Sequence, residues 1–236
     1  MAEFNNLFEG EKPIIGMIHL AGKNKDDRIG RALEELILYE GEGVDGVIIE
    51  DYHGSVEDVR KVLKTSAQLN LSIVRGVNIL INPYSGFELA QEYGAKFVQF
   101  DSVQTPDLNL KEYDFMRRKY PDVSVLGGIG FKYTKPTRNL LKVDLDEGKS
   151  RCEAIVTTGI GTGKETPAGK LREYKILLEE FPLIVGAGVN VGNVYEQLGI
   201  ADGAIIGSYF KPDGNTELPV QRRKVRKIMD IAKEIR

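Results

Sequence analysis

The 236 residues predict a single (β/α)₈ barrel spanning 1–236, and three observations carry that prediction. Apolar strand-like runs recur eight times along the chain, each followed by a segment of helical period, and eight such alternations within one domain length is the barrel pattern. The last three runs end in glycine-rich tips: 154–163 (AIVTTGIGTG), 183–189 (LIVGAGV) and 204–211 (AIIGSYFK). An apolar run that stops in glycine reads as a buried parallel strand turning into a loop. Finally, no linker, low-complexity tract or change of composition divides the chain. A doubly wound open sheet also fits alternation, but the count of eight and the glycine tips at the seventh and eighth strands favour closure.

The strands are expected at 14–18, 46–50, 72–77, 97–100, 124–127, 154–157, 183–186 and 204–207. Between the first two, residues 28–39 place Ile29, Ala32, Leu33, Leu36 and Ile37 on one helical face. Residues 56–69 do the same with Val59, Val62, Leu63 and Ala67, leaving Gln68 to water. A weak internal echo, EGVDGVIIED at 42–51 against GIADGAIIGS at 199–208, fits a repeated βα unit. In the last helix Val225, Ile228, Met229 and Ala232 recur at helical spacing, so they face the barrel, while Arg222, Arg223, Lys224, Arg226 and Lys227 face water.

With 32 basic and 35 acidic residues the net charge is −3, so no global field points to nucleic acid or an anionic membrane. The single Cys152 excludes an internal disulfide and suits a reducing compartment. No run approaches the ~18 apolar residues of a membrane span, and the first residues carry acids rather than a signal-peptide core. A cytoplasmic protein is expected, with no membrane insertion and no cofactor; a homo-oligomer through an outer helix face is left open.

In a barrel, residues just past the C-terminal end of each strand face one pocket. Here they are His19, Glu50, Asp51, His53, Asn78, Asp101, Ser102, Lys132, Thr157, Thr158, Asn190 and Ser208. Loops after the seventh and eighth strands often hold phosphate. Backbone N–H groups around Gly186, Gly188, Val189, Gly207 and Ser208, with the Ser208 hydroxyl, are therefore the expected anion grip. The loop containing Gly159, Thr162, Gly163 and Lys164 is placed to close over it. That loop only superficially resembles a nucleotide P-loop, because the G-x-x-x-x-G-K-[ST] spacing fails.

Glu50, Asp51 and Asp101 are the candidates for acid–base work, since one of a close carboxylate pair can keep a proton while the other ionises. Strand neighbours face opposite ways, so only one of Glu50 and Asp51 points inward, and Asp51 is the preferred one. Lys132 is expected to pair with a ligand or with Asp101, with a Schiff base as the less simple alternative. His19 would polarise or orient a substrate and Asn78 would hydrogen-bond it. His19, Glu50, Asp51 and His53 could ligate a divalent metal, but no tight ligand spacing supports it, so no metal is assigned.

The strings PIIGMIHL (13–20), GVDGVIIE (43–50), GVNIL (76–80), IVTTGIGTG (155–163), VGAGV (185–189), NV (193–194) and ADGAIIGSYFKPDG (201–214) run in order over nearly the whole chain. Together they resemble the BtpA/SgcQ family. That resemblance implies a barrel related to ribulose-phosphate-binding barrels. It also implies two functional settings, one in stabilising photosystem I and one among sugar-phosphate genes. The chain departs from the family pattern on the active face: INP at 81–83 where R-N-D is usual, Glu50-Asp51 for E-N, Lys132-Tyr133 for K-H, and a short leader after His19-Leu20. The expectation is a barrel binding a phosphorylated sugar or nucleotide-like molecule by isomerase- or lyase-type chemistry; the alternative is a non-catalytic assembly factor that retains the barrel.

Overall fold

The computed structural model describes residues 4–236. Eight strands run β1 Ile14–Ile18, β2 Gly46–Glu50, β3 Val74–Asn78, β4 Phe97–Phe100, β5 Ser124–Gly128, β6 Ala154–Thr157, β7 Leu183–Val185 and β8 Gly203–Ile206. The helices are α1 Lys25–Gly41, α2 Val56–Ser66, α3 Ser85–Tyr93, α4 Leu110–Lys119, α5 Leu141–Lys149, α6 Ala168–Leu178, α7 Val194–Ile200 and α8 Arg222–Ile235. All strands pair in parallel in sequence order and β8 returns to β1, closing the barrel. β3 begins later than expected because pairing with β2 starts only at Val74 opposite Gly46, and it runs on to Asn78 opposite Glu50.

Two apolar layers follow from the two-residue period of the strands. Ile15, Met17, Ile48, Phe97, Leu126, Val156, Ile184 and Ile205 fill the barrel interior, and Phe4 and Phe8 join that cluster from the N-terminal segment. The alternate residues, among them Ile14, Val47, Ile49, Val77, Val98 and Ile155, pack outward against the helices. A side chain at Gly76 would lie 2.2 Å from the Phe97 ring, so this glycine makes room for the aromatic.

Local signals set the helix ends. Asn24 and Ser55 cap α1 and α2 by accepting from the N–H of Asp27 and Asp58, and Asp58 returns the bond to complete a capping box. In α8 Val225, Ile228, Met229 and Ala232 are buried on the barrel, as their spacing implies. Cys152 is buried just before β6, donates to the Gly148 carbonyl, and has its thiol pKa pushed up by burial. No helix among the described residues is long and apolar enough to cross a membrane.

Candidate active site

Strand parity decides which rim residues meet. Ile48 faces the interior, so Glu50 two residues on does too, and Asp51 cannot. The preference for Asp51 as the inward carboxylate is therefore corrected. Its Oδ1 accepts from the Leu80 backbone N–H at 2.9 Å, which fixes the loop after β3. Glu50 is buried at the floor of a cavity of about 140 Å³ at the C-terminal mouth of the barrel.

Around that floor stand His19, Gln99, Asp101 and Lys132. The side-chain amide of Asn78 donates to Glu50 Oε1 at 2.8 Å and to Asp101 Oδ1 at 3.2 Å. Gln99 Nε2 donates to the same Asp101 oxygen at 3.0 Å. Burial, and then the negative charge of Asp101, push the Glu50 pKa up to about 8, so at neutral pH this carboxyl holds its proton. His19 is pulled the other way, down to about 3, by burial and then by the positive charge of Lys211. Its imidazole is neutral and sits edge-on to Tyr52, with ring centroids 5.5 Å apart.

Lys132 is positioned from two sides. Its backbone N–H donates to Thr158 Oγ1 at 2.6 Å, and its Nζ lies 4.0 Å from the Phe131 ring centroid. The pairing with Asp101, one of the two expected partners, does not form: among the described residues the contact of Lys132 Nζ is the one with the Phe131 ring. A cation held over an aromatic face and unpaired is available to a ligand.

The opposite wall is backbone. Gly163, Gly186, Gly188, Gly207, Thr162 and Ser208 line it. Gly188 has φ +72°, and a Cβ there would lie 2.3 Å from the Lys164 carbonyl oxygen, so the loops after β6 and β7 touch main chain to main chain. A Cβ on Gly163, at φ +69°, would come within 2.9 Å of Ser208 Oγ. Ser208 opens a short 3₁₀ turn to Phe210. Behind it Lys211, almost fully buried, pairs with buried Glu35 at 3.1 Å and anchors the turn to α1.

Several expected rim residues lie elsewhere. Asn190 is bound within its own loop, donating to the Gly188 carbonyl at 3.1 Å and accepting from Gly192 N–H at 2.8 Å. Thr157 turns outward beside Tyr174, because Val156 before it faces inward. Gly159 serves a tight turn, where a Cβ would meet the Glu165 carbonyl at 2.3 Å. His53 bonds Thr216 at 2.8 Å, and Ser102, whose hydroxyl accepts from Gln104 N–H at 3.2 Å, lines the neighbouring cavity beside Asp101 instead. Among the described residues no group of three or more His, Cys, Asp or Glu is placed to hold a metal ion.

Gln99, Tyr52, Leu80, Phe131 and Tyr133 line the cavity without having been expected there. Gln99 was readable by parity, two residues past the inward Phe97. Tyr133, at φ +63°, accepts from Thr162 N–H at 3.1 Å and ties the loops after β5 and β6 together. Only the folded loop reveals that contact.

Comparison with known proteins places this barrel. The BtpA family profile matches residues 10–234. An uncharacterised protein of Thermococcus kodakarensis is 28% identical over 95% of this chain and 97% of its own length. The photosystem I biogenesis protein BtpA of Synechocystis is 26% identical over 88% of this chain and 83% of its own. Among solved structures, thiamine phosphate pyrophosphorylase from Pyrococcus furiosus superposes with a TM-score of 0.67 at 13% identity, covering 95% of this chain and 96% of that one. That likeness is one of fold.

Proposed function

This chain belongs to the BtpA family, and we propose that its barrel binds a phosphorylated small metabolite and transforms it by acid–base catalysis, Asp101 taking a proton from the substrate and Glu50 giving one to it. The observation that carries this reading is the pair of carboxylates joined through Asn78 on one side of a small cavity whose other side is glycine backbone. A buried carboxyl that keeps its proton near neutrality is a general acid, and a neighbouring carboxylate is its base. Lys132 stabilises the oxyanion that forms when a proton leaves carbon beside a carbonyl. Neutral His19 orients the substrate oxygen. The backbone at Gly163, Gly188 and Gly207, with the Ser208 hydroxyl, grips the phosphate. The reaction class is an isomerisation or a lyase-type elimination. A fold neighbour whose name contains a phosphorylated compound, thiamine phosphate, is in keeping with that ligand class.

The relative named for photosystem I biogenesis favours a second reading, a barrel that binds without chemistry and serves assembly. A thermal-shift screen of the protein and of Ser208→Asp against sugar phosphates, nucleotides and inorganic phosphate tests the first reading. A ligand at 100 times its Kd adds about 2.7 kcal/mol, roughly 5–10 °C for a domain of this size. A shift seen in the wild type and lost in Ser208→Asp supports the phosphate grip. No shift with any phosphorylated compound sinks it and leaves the assembly reading.

A further inference from the structure

We propose that the molecule held by this barrel carries, beyond its phosphorylated part, a neutral planar ring with an N–H donor, seated between the loops that follow β3, β4 and β5. This rests on the phosphate reading above, which sets the direction of the ligand. In the closed order of strands β3 lies opposite β7 and β4 opposite β8. A molecule whose phosphate sits at Gly188 and Ser208 therefore crosses the carboxylate floor and runs out toward the loops after β3 and β4.

A second cavity, of about 270 Å³, opens there. It shares Leu80, Asp101, Lys132 and Tyr133 with the first, so the two form one trough with the reacting groups in the middle. One side of the new half is an aliphatic shelf of Leu80, Ile81 and Pro83. Ile81 is 94% exposed and Leu80 40% exposed at the very mouth of the site. An apolar wall in a cavity that also carries a few polar groups suits the face of a planar ligand. The Asp51 bond to Leu80 N–H holds this shelf at a fixed height above the floor.

The polar atoms facing the shelf select the ring's edge. Both hydrogen bonds of Asp101 fall on Oδ1, which leaves Oδ2 to take the substrate's proton. Asp107 lines the same cavity, with Lys135 Nζ 3.9 Å from it. Lys132 and Lys135 offset the charges of Asp101 and Asp107 at this end, so it suits a neutral group, and its carboxylate oxygens reward an N–H donor. A flat ring meets both requirements, laying its face on the shelf and turning its donor to Asp107 Oδ1, while Asp101 Oδ2 stays free for the proton. A sugar phosphate alone reaches neither.

Calorimetric titration of the full chain with ribose 5-phosphate and with AMP, a phosphorylated sugar without and with such a ring, tests the proposal. AMP is expected to bind at least tenfold more tightly. Ile81→Asp, at a site too exposed to disturb folding, is expected to erase that gain while leaving ribose 5-phosphate affinity unchanged. Equal affinities in the wild type, or a gain that survives in Ile81→Asp, overturn the proposal. If ribose 5-phosphate binds, is lost in Ser208→Asp, and AMP binds no better, only this inference fails. If neither compound binds, this inference fails, and the phosphate reading fails with it when no other phosphorylated compound shifts the wild-type protein.

Discussion

The amide nitrogen of Asn78 lies 2.8 Å from Oε1 of Glu50, at the buried floor of the barrel mouth. A donor at that distance favours the ionised carboxylate, yet burial and the charge of Asp101 outweigh it and hold the Glu50 pKa at about 8. Asn78 thus keeps two acidic groups in register without neutralising either one.

That balance has a consequence for stability. Between about pH 4.5 and 8 the native state keeps a proton on Glu50 that the unfolded chain has released, so this contribution is complete below the window and is lost as pH rises through it. His19 acts oppositely. Between about pH 3 and 6.5 the unfolded chain binds a proton that the buried ring does not, so stability rises with pH. Above about pH 6.5 only the Glu50 slope remains of these two. Urea unfolding at pH 6.5 and 8 should show the wild type losing about 2 kcal/mol relative to Glu50→Gln. Parallel behaviour of the two proteins would mean that Glu50 is ionised in the native state.

Once a substrate is in hand, the two neighbouring acids should separate cleanly. Glu50→Gln is expected to lower kcat by a factor of about 100 or more, the usual worth of a general acid. Asp51→Asn, whose oxygen can still accept from Leu80 N–H, should stay within about threefold of wild type. The reverse order in steady-state kinetics would restore Asp51 as the proton carrier and remove Glu50.

Lys211→Met should destabilise the protein by about 3–5 kcal/mol, because it leaves Glu35 buried beside an apolar side chain. Glu35 also accepts from Val220 N–H at 3.0 Å, so Glu35→Gln added to Lys211→Met keeps that bond and should recover much of the loss. Denaturant midpoints of the single and double variants measure this directly. A double variant no better than the single one would mean that the lysine acts through packing alone.

Gly188→Ala forces a side chain into a left-handed backbone and against the Lys164 carbonyl. The expected cost is about 2–4 kcal/mol, with loss of any phosphate-dependent thermal shift. Gly169→Ala is the control, since nothing lies within 4 Å of a Cβ there. In the first turn of α6 it should gain up to about 1 kcal/mol. Equal effects at the two positions would refute the close approach of the loops after β6 and β7.

Much of the fold was legible before any coordinates. The expected ranges for β1, β2, β4 and β6 coincide with the observed strands, and the apolar stripe of α8 packs as its spacing required. These are local properties, because a strand buried on both faces and a helix buried on one write their period into the chain. The site was legible only in part. Glu50, Asp101, His19, Asn78 and Lys132 do converge, whereas Asn190, Thr157 and Asp51 turn away.

The sequence by itself determined the succession of eight βα units, the glycine tips after β6, β7 and β8, and the set of polar residues at the strand ends. Tertiary structure alone decided which of those polar residues share a cavity. Inward and outward facing depends on the register of each strand against neighbours distant in the chain. Loop contacts such as Tyr133 with Thr162 and Asp51 with Leu80 depend on backbones that meet only once the barrel closes. The protonation of Glu50 was likewise settled there, since burial and the nearness of Asp101 are properties of the closed barrel and not of any stretch of chain.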